Sequence, residues 1–543
     1  MGCALACALG AAAQEPVDLL MHNGRVLTAD ASFSIHGAVA VRDGRIVEVG
    51  GEELSRRYRA ARVVDLRGKT LLPGFHDTHI HVNGDPRRHV DLSEARSLAQ
   101  IAALVREKAR ELGPGQWVTG YGWSEDQLAE KRRPLRGDLD AAAPENPVVI
   151  TRAGGHSVAA NGRALAVAGI TRNTPDPERG VIEKGADGEP NGIVRERGDL
   201  FSRHVPRAGP QELRESLIGK LRALLRLGIT SIIVAGAALG ETPGRGSFAE
   251  WERIYSEHGG ASLPRAAVQI YWGGKEAMSR FGRKTGDGDE RLRVGAVKLL
   301  VDGGFTGPAA YTLADYKGQP GYRGKLTLSE QQLYETVRDA HALGWQLGFH
   351  TIGDSAIALT VDVFARVLEE NPRADHRHFL NHFSMLPPEA TLKKMAAHRI
   401  LIAQQPNFTY TLEGRYAANL EGARLAHNNP VATPIRHGIF MAFGSDILPI
   451  GPMVGLYAAV TRKGVSGAVY GPQERIPMRD AIVAYTRNGA FLTREERLKG
   501  TIEPGRLADL IVLSEDPLRA APEKILGIQV DMTILGGRVV WER

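Results

Sequence analysis

Cysteine is nearly absent from this chain of 543 residues: there are two, Cys3 and Cys7, both in the opening "MGCALACALGAAAQEP". Residues 1–16 read as an export signal, apolar and rich in small residues, with an A-x-A-like site at Ala11-Ala12-Ala13. Its removal would leave no disulfide, no thiol nucleophile and no thiolate ligand, so any metal would be held by nitrogen and oxygen. The expected location is periplasmic or secreted if this segment is a signal peptide, and cytoplasmic otherwise. No run of about 20 apolar residues occurs elsewhere, so no membrane span is expected. Lys/Arg clusters interleaved with aromatics are also lacking. Net charge is only +6, from 68 basic and 62 acidic residues, and nothing marks a nucleic-acid-binding surface. Neither a G-x-G-x-x-G in a convincing βαβ context nor a G-x-x-x-x-G-K-[ST] is present, which removes the common nucleotide-binding loops. No low-complexity tract interrupts the chain.

What is present is 43% hydrophobic sequence, enough for a large core divided among several domains. Residues 17–73 alternate and turn at Asn23-Gly24, Asp43-Gly44 and Gly50-Gly51, which are hairpin signals. Residues 500–543 repeat that texture, with Gly536-Gly537 between two short strands. Together they predict one small β-sandwich domain built from both ends of the chain. Between them the rhythm becomes strand then helix. "LRESLIGKLRALLRL" leads into "GITSIIVAG", "LSEQQLYETVRDAHAL" into "GWQLGFHTIGD", and "AIALTVDVFARVLEEN" into "HRHFLNHFSM". This predicts an α/β fold, a (β/α)8 TIM-like barrel over 74–84 plus 216–499. Residues 85–215 are less regular and read as an α+β insertion after the first barrel strand, a substrate cap.

The barrel strands end in chemistry. In "LLPGFHDTHIHV" (71–82), Asp77, His79 and His81 share one strand face and His76 takes the other. Two imidazoles spaced i, i+2 can chelate one metal ion, but polar strand ends produce H-x-H often. Its partners carry the argument: Lys298 inside the apolar "VGAVKLL", His350 ending "WQLGFH", His382 ending "HFLNH" and Asp446 ending "FMAFGSD". A barrel brings all these ends to one mouth. His76 is left as a packing residue, and Asp77 as a residue behind the ligands.

In that order these residues resemble the metal-dependent amidohydrolase superfamily. "GYGW" (120–123), "LDAAAPENPVVITRAGGH" (139–156), "HTIGDSA" (350–356), "YTRNGA" (485–490) and "EPGRLADLIVLSEDP" (503–517) narrow the resemblance. They point to amidohydrolase family 3, the branch of the N-substituted formamide deformylases and YtcJ-like proteins. The resemblance runs from about residue 17 to the C-terminus. It implies His79, His81 and Asp446 on one metal, His350 and His382 on a second, and Lys298 carboxylated on its amine and bridging them. A one-metal site with unmodified Lys298 is the alternative. With nitrogen and oxygen donors alone, two Zn²⁺ per chain are expected, while Mn²⁺, Fe²⁺ or Co²⁺ also suit such ligands. Two departures stand out: relatives commonly carry an acidic residue before His382, where this chain has Asn381, and "DGGFTGPAA" after Lys298 differs from the usual Gly-Ser-rich segment.

The implied activity is hydrolysis of a non-peptide C–N bond, in an N-substituted or N-acyl (aryl) amide, with metal-activated water as nucleophile. Asp446 would be general base and then acid, and His156 a donor to the oxyanion. Tyr121, Trp123, Phe408 and Tyr410 are the expected aromatic substrate contacts. Ester, carbamate or lactone hydrolysis, or a metal-dependent decarboxylation, is the alternative chemistry on the same residues. A metal-free binding scaffold is the alternative outside catalysis. The expected partner is a small amide-type molecule. Relatives are often dimers, which makes a homodimer the expected assembly.

Overall fold

The computed structural model describes residues 14–543 except 126, 154, 156, 179, 241–245, 259–261, 306–307 and 447–449. Two compact units emerge, one of Met1–His81 with Leu221–Arg543 and one of Val82–Lys220. In the first, eight parallel strands form one sheet in chain order. They are β1 (Phe75–Ile80), β2 (Ile229–Ala237), β3 (Arg265–Tyr271), β4 (Leu292–Leu300), β5 (Leu347–Thr351), β6 (Phe379–His382), β7 (Leu401–Gln404) and β8 (Met441–Phe443). Just beyond β8, Asp446 N donates to His79 O at 2.7 Å, and His81 N donates to Asp446 O at 3.1 Å. These bonds bring the two edge strands together and close a (β/α)8 barrel.

Local sequence explains the units. Ser329 caps the helix Glu330–Ala342 through a capping box with Gln332, and Leu333, Val337, Ala340 and His341 form its buried stripe. Gly344, at φ +86°, ends that turn and the chain enters β5. The strand–helix rhythm of the sequence does not single out β3, because Arg265 and Gln269 interrupt its apolar run. Both are nonetheless buried. Arg265 pairs with Asp509 through two bonds of 2.6 and 3.0 Å, and Gln269 donates to Gly348 O at 3.1 Å. The buried charge is tolerated because its carboxylate partner is bonded to it, and the buried amide is held through its nitrogen.

The two ends of the chain form two further sheets in this unit. One has four strands, from Glu15–His22 to Tyr58–Asp65, and the other has six, combining Arg25–Leu27, Ile35–His36 and Thr70–Pro73 with Leu510–Leu513, Val530–Leu535 and Arg538–Glu542. Leu19, Val39, Val41, Leu71, Leu510, Val512 and Ile534 pack between them, which is the alternation expected of a sandwich.

The Val82–Lys220 unit carries a six-stranded mixed sheet from His89–Asp91 to Pro190–Arg195, flanked by helices that include Leu98–Leu112 and Arg136–Ala142. Its core contains Trp123, fully buried among Leu92, Leu128, Leu139 and Ile150. No helix among the described residues is long and apolar enough to cross a membrane.

Candidate metal centre

The strand register levels the ends of the barrel strands. Leu300 pairs with His350, His350 with Asn381, and Thr351 with His382. The carboxylate of Asp77 ties the seam: its Oδ1 accepts from His79 N at 3.2 Å and from Ser445 N at 2.9 Å. Gly444 permits this approach, since a Cβ there would lie 2.5 Å from His79 N. Three non-glycine residues at the mouth have left-handed backbone, His382 at φ +78°, Phe383 at φ +51° and Asp446 at φ +62°, among the described residues. Such strain persists only where surrounding contacts over-determine it.

All six residues expected as ligands come together. One nitrogen each of His79 and His382 and one oxygen of Asp446 lie within 4.8 Å of one another. His81 Nε2 is 3.2 Å from Asp446 Oδ1, and Lys298 Nζ is 3.4 Å from His79 Nε2. The ring of His350 is 4.4 Å from that of His382, centre to centre. His79, Lys298 and His382 are buried, whereas the side chain of His81 is 41% exposed, at the rim.

Burial sets the protonation. It pushes His79 and His382 well below the ordinary imidazole range and His350 down to about 3, with the Lys298 charge adding to each, while His81 at the rim is lowered less by its partial burial and the same charge. Neutral rings with free lone pairs are what a metal requires. Burial also raises the Asp446 carboxyl and lowers the Lys298 ammonium, while the attraction between their charges opposes both shifts.

The donor set fits a divalent cation. Among the described residues, His350 Nε2, His382 Nε2 and Asp446 Oδ1 are buried without a hydrogen-bond partner. Leaving one such group unbonded costs roughly 1–3 kcal/mol, and three of them converge here. A cation bound by nitrogen and oxygen would satisfy all three at once.

A model of the amidohydrolase family matches residues 62–541. The chain belongs to the amidohydrolase family. Amidohydrolase relatives extend over nearly its whole length. YtcJ of Bacillus subtilis (strain 168) is 30% identical, covering 96% of this chain and 99% of its own. An N-substituted formamide deformylase of Arthrobacter pascens is 29% identical, covering 97% and 98%. The crystal structure of an uncharacterized metal-dependent hydrolase from Pyrococcus horikoshii OT3 superposes with a TM-score of 0.70 at 22% identity. It covers 93% of this chain and 99% of its own, and establishes the shared fold. The amidohydrolase family is metal-dependent, and the chain is a hydrolytic enzyme with a His/His/Asp cluster at its barrel mouth.

The remaining residues singled out in the sequence fall in different places. Trp123, expected at a substrate pocket, is instead a core residue of its unit, and its Nε1 donates to Ile150 O at 3.2 Å. Its ring is consumed by packing. Phe408 is 5% exposed and lies parallel to the His382 ring at 6.2 Å. It packs with Phe305, Tyr316, Ile352, Met385 and Tyr416 as a wall behind the ligand. Tyr410 stands edge-on to Tyr457 at 5.7 Å, and Tyr121, in the Val82–Lys220 unit, is 37% exposed. His156 lies outside the described residues.

Three contributors escape the sequence argument. Asp302, two residues past β4, accepts from Ile352 N at 3.0 Å, Gly353 N at 2.8 Å and Tyr311 N at 2.9 Å. It lies 3.9 Å from His350 Nε2 and so ties the loop after β4 to the residues after β5. The others, Asn381 and Gln405, contact the imidazoles of His79 and His382. A carboxylate just ahead of a glycine pair was the available signal for Asp302, and the departure from an acidic residue before His382 was that for Asn381; Gln405 carried none.

Proposed function

We propose that the protein is a metal-dependent hydrolase of a non-peptide C–N bond, acting on an N-substituted or N-acyl amide. The observation that carries this reading is the convergence of His79, His382 and Asp446 with three buried, unbonded donor atoms at a barrel mouth. The similarity to a formamide deformylase supports the choice of amide. His79, His81 and Asp446 would hold one Zn²⁺, and His350 and His382 a second, with Mn²⁺, Fe²⁺ or Co²⁺ as substitutes. When bound, a divalent cation supplies Lewis acidity to a water and to a carbonyl oxygen. Asp446 would take the proton of the attacking water, since burial raises its proton affinity and it faces the cluster beside His81 Nε2, 3.2 Å from its Oδ1. The same carboxyl then returns the proton to the leaving nitrogen. Lys298, lowered by burial, presents an amine that can add to CO2, losing a proton as the N–C bond of a carbamate forms. The resulting anion would bridge the two sites.

The test is a panel of aryl amides, esters and carbamates assayed before and after chelation. Amide cleavage lost on chelation and regained with Zn²⁺ supports the reading. Amide cleavage that survives verified metal removal refutes it, and ester or carbamate turnover without amide turnover moves the assignment to that chemistry.

A further inference from the structure

The hydrogen bonds behind the cluster fix more than its position. His79 Nδ1 lies 2.8 Å from Asn381 Oδ1. The other half of that amide is committed, since Asn381 Nδ2 donates to Gly348 O at 2.9 Å. Gly348 O also accepts from Gln269 Nε2 at 3.1 Å, and a Cβ on Gly348 would lie 2.3 Å from both Gln269 Nε2 and the Phe379 ring. Turning the Asn381 amide over would set its oxygen against a carbonyl. His382 repeats the arrangement: its Nδ1 is 2.8 Å from Gln405 Oε1, and Gln405 Nε2 donates to Ala403 O at 3.1 Å. Asn381 and Gln405 are both fully buried.

An amide oxygen only accepts, so an imidazole facing it must carry its proton on the facing nitrogen. We infer that Asn381 and Gln405 are positioning residues that hold His79 and His382 as Nδ1–H tautomers and turn both Nε2 lone pairs into the cluster. His79 Nε2 faces Lys298 Nζ, and His382 Nε2 is buried without a partner among the described residues, while its Nδ1, bonded to Gln405, lies 3.9 Å from Asp446 Oδ2. A carboxamide suits this task better than a carboxylate, because each residue must accept from an imidazole and donate to a barrel carbonyl at once. The arrangement also accounts for the backbone of β6. Consecutive strand residues point to opposite faces, yet Asn381 and His382 both serve the cluster, and the positive φ of His382 breaks the alternation. The asparagine preceding His382 on β6 therefore serves His79 on β1, with β7 and β8 between them.

As a statement about metal affinity this inference rests on the metal-centre reading, and its test separates the two. Zn²⁺ affinity is measured by chelator competition on wild type, Asn381→Leu, Gln405→Met and Gln405→Glu, with the thermal midpoint of each metal-free protein recorded alongside. Gln405→Met and Asn381→Leu should weaken Zn²⁺ by about 10–100-fold, while each metal-free protein still melts cooperatively at a midpoint lowered by the imidazole N–H left unbonded. Gln405→Glu, which keeps the acceptor, should bind more tightly than Gln405→Met but melt lower without metal, its second oxygen facing Ala403 O. Wild-type affinity in both apolar variants overturns the inference. Failure of wild type to bind Zn²⁺ overturns the metal reading instead. The tautomers are read independently in metal-free wild type by ¹H–¹⁵N spectra of labelled histidine, assigned with His79→Gln and His382→Gln. A proton on Nδ1 of both rings is expected, and a proton on Nε2 of either neutral ring overturns the inference even if the apolar variants fail to fold.

Discussion

The backbone amide of Asp446 donates to the carbonyl of His79 at 2.7 Å, and the same two residues face each other through their side chains, Nε2 to Oδ1, at 3.9 Å. The seam that closes the barrel and the cluster that would hold metal are thus built from one pair of residues. Closure of the fold positions the first and last of the candidate ligands in chain order without a separate scaffold.

Gly444 tests that coupling. A methyl group at this position would meet His79 N at 2.5 Å and Asp77 Oδ1 at 2.9 Å, both fixed by the seam. Gly444→Ala should destabilise the protein by about 1–3 kcal/mol and weaken Zn²⁺ binding with it. Thermal melts with and without Zn²⁺ check this, and a variant that melts and binds as wild type does would show that the seam and the cluster are independent.

Asp446→Asn removes the proton acceptor while keeping the side-chain shape. Amide turnover should fall by about 10²–10⁴-fold, measured as kcat on the best substrate of the panel. Turnover within a factor of a few of wild type would place the base elsewhere.

A second histidine cluster lies at the opposite end of the strands. His341 Nδ1 is 2.9 Å from His378 Nε2, His378 Nδ1 accepts from Leu347 N at 3.0 Å, and His376 Nδ1 accepts from His378 N at 2.9 Å. The outer nitrogens of His341 and His376 meet the carbonyls of Asn371 and His398. Each ring uses one nitrogen as donor and one as acceptor, so an added proton breaks a bond. Burial holds His376 down at about 4 and lowers His341 and His378 as well. The unfolded chain binds these protons near the ordinary value of about 6.5, so stability is full above that pH and falls as pH drops toward 4. For His376 alone the loss approaches about 3 kcal/mol. His376→Asn, which keeps the acceptor for His378 N, should flatten the pH dependence of the thermal midpoint between 6.5 and 4. An unaltered slope would remove this cluster from the account.

His76 has the opposite accounting. It is buried, and neither ring nitrogen has a hydrogen-bond partner among the described residues. Its ring packs where a Cβ on Gly489 would lie 2.6 Å away. Replacing an unbonded polar ring by an aliphatic one removes a desolvation cost of roughly 1–3 kcal/mol. His76→Ile should therefore melt no lower than wild type, and higher if the side chain repacks. A large loss of stability would mean that the ring is bonded in solution.

Much of this was legible in the chain. His79, His81, Lys298, His350, His382 and Asp446 could be picked out because each is a polar residue ending or interrupting an apolar strand, a conflict that strand parity and barrel closure resolve. β3 was hidden by Arg265 and Gln269, whose burial depends on partners far away in sequence at Asp509 and Gly348. The same limit applies to Gln405, just past β7, which carries no mark of the imidazole it meets, while Asn381 stood out only as a departure, without pointing to His79. Trp123 misled because an aromatic in a Gly-rich motif reads alike whether its ring lines a pocket or fills a core, and only the bond from its Nε1 to Ile150 O separates the two.

The central claim is that the barrel mouth binds catalytic metal through His79, His382 and Asp446. Elemental analysis of purified wild type beside a His79→Ala/His382→Ala/Asp446→Ala variant tests it most directly. The account predicts about one to two ions per chain in wild type, as expected of mononuclear and binuclear hydrolases, and almost none in the folded variant. Equal metal in both proteins, or a metal-free wild type with full amide turnover, would contradict it.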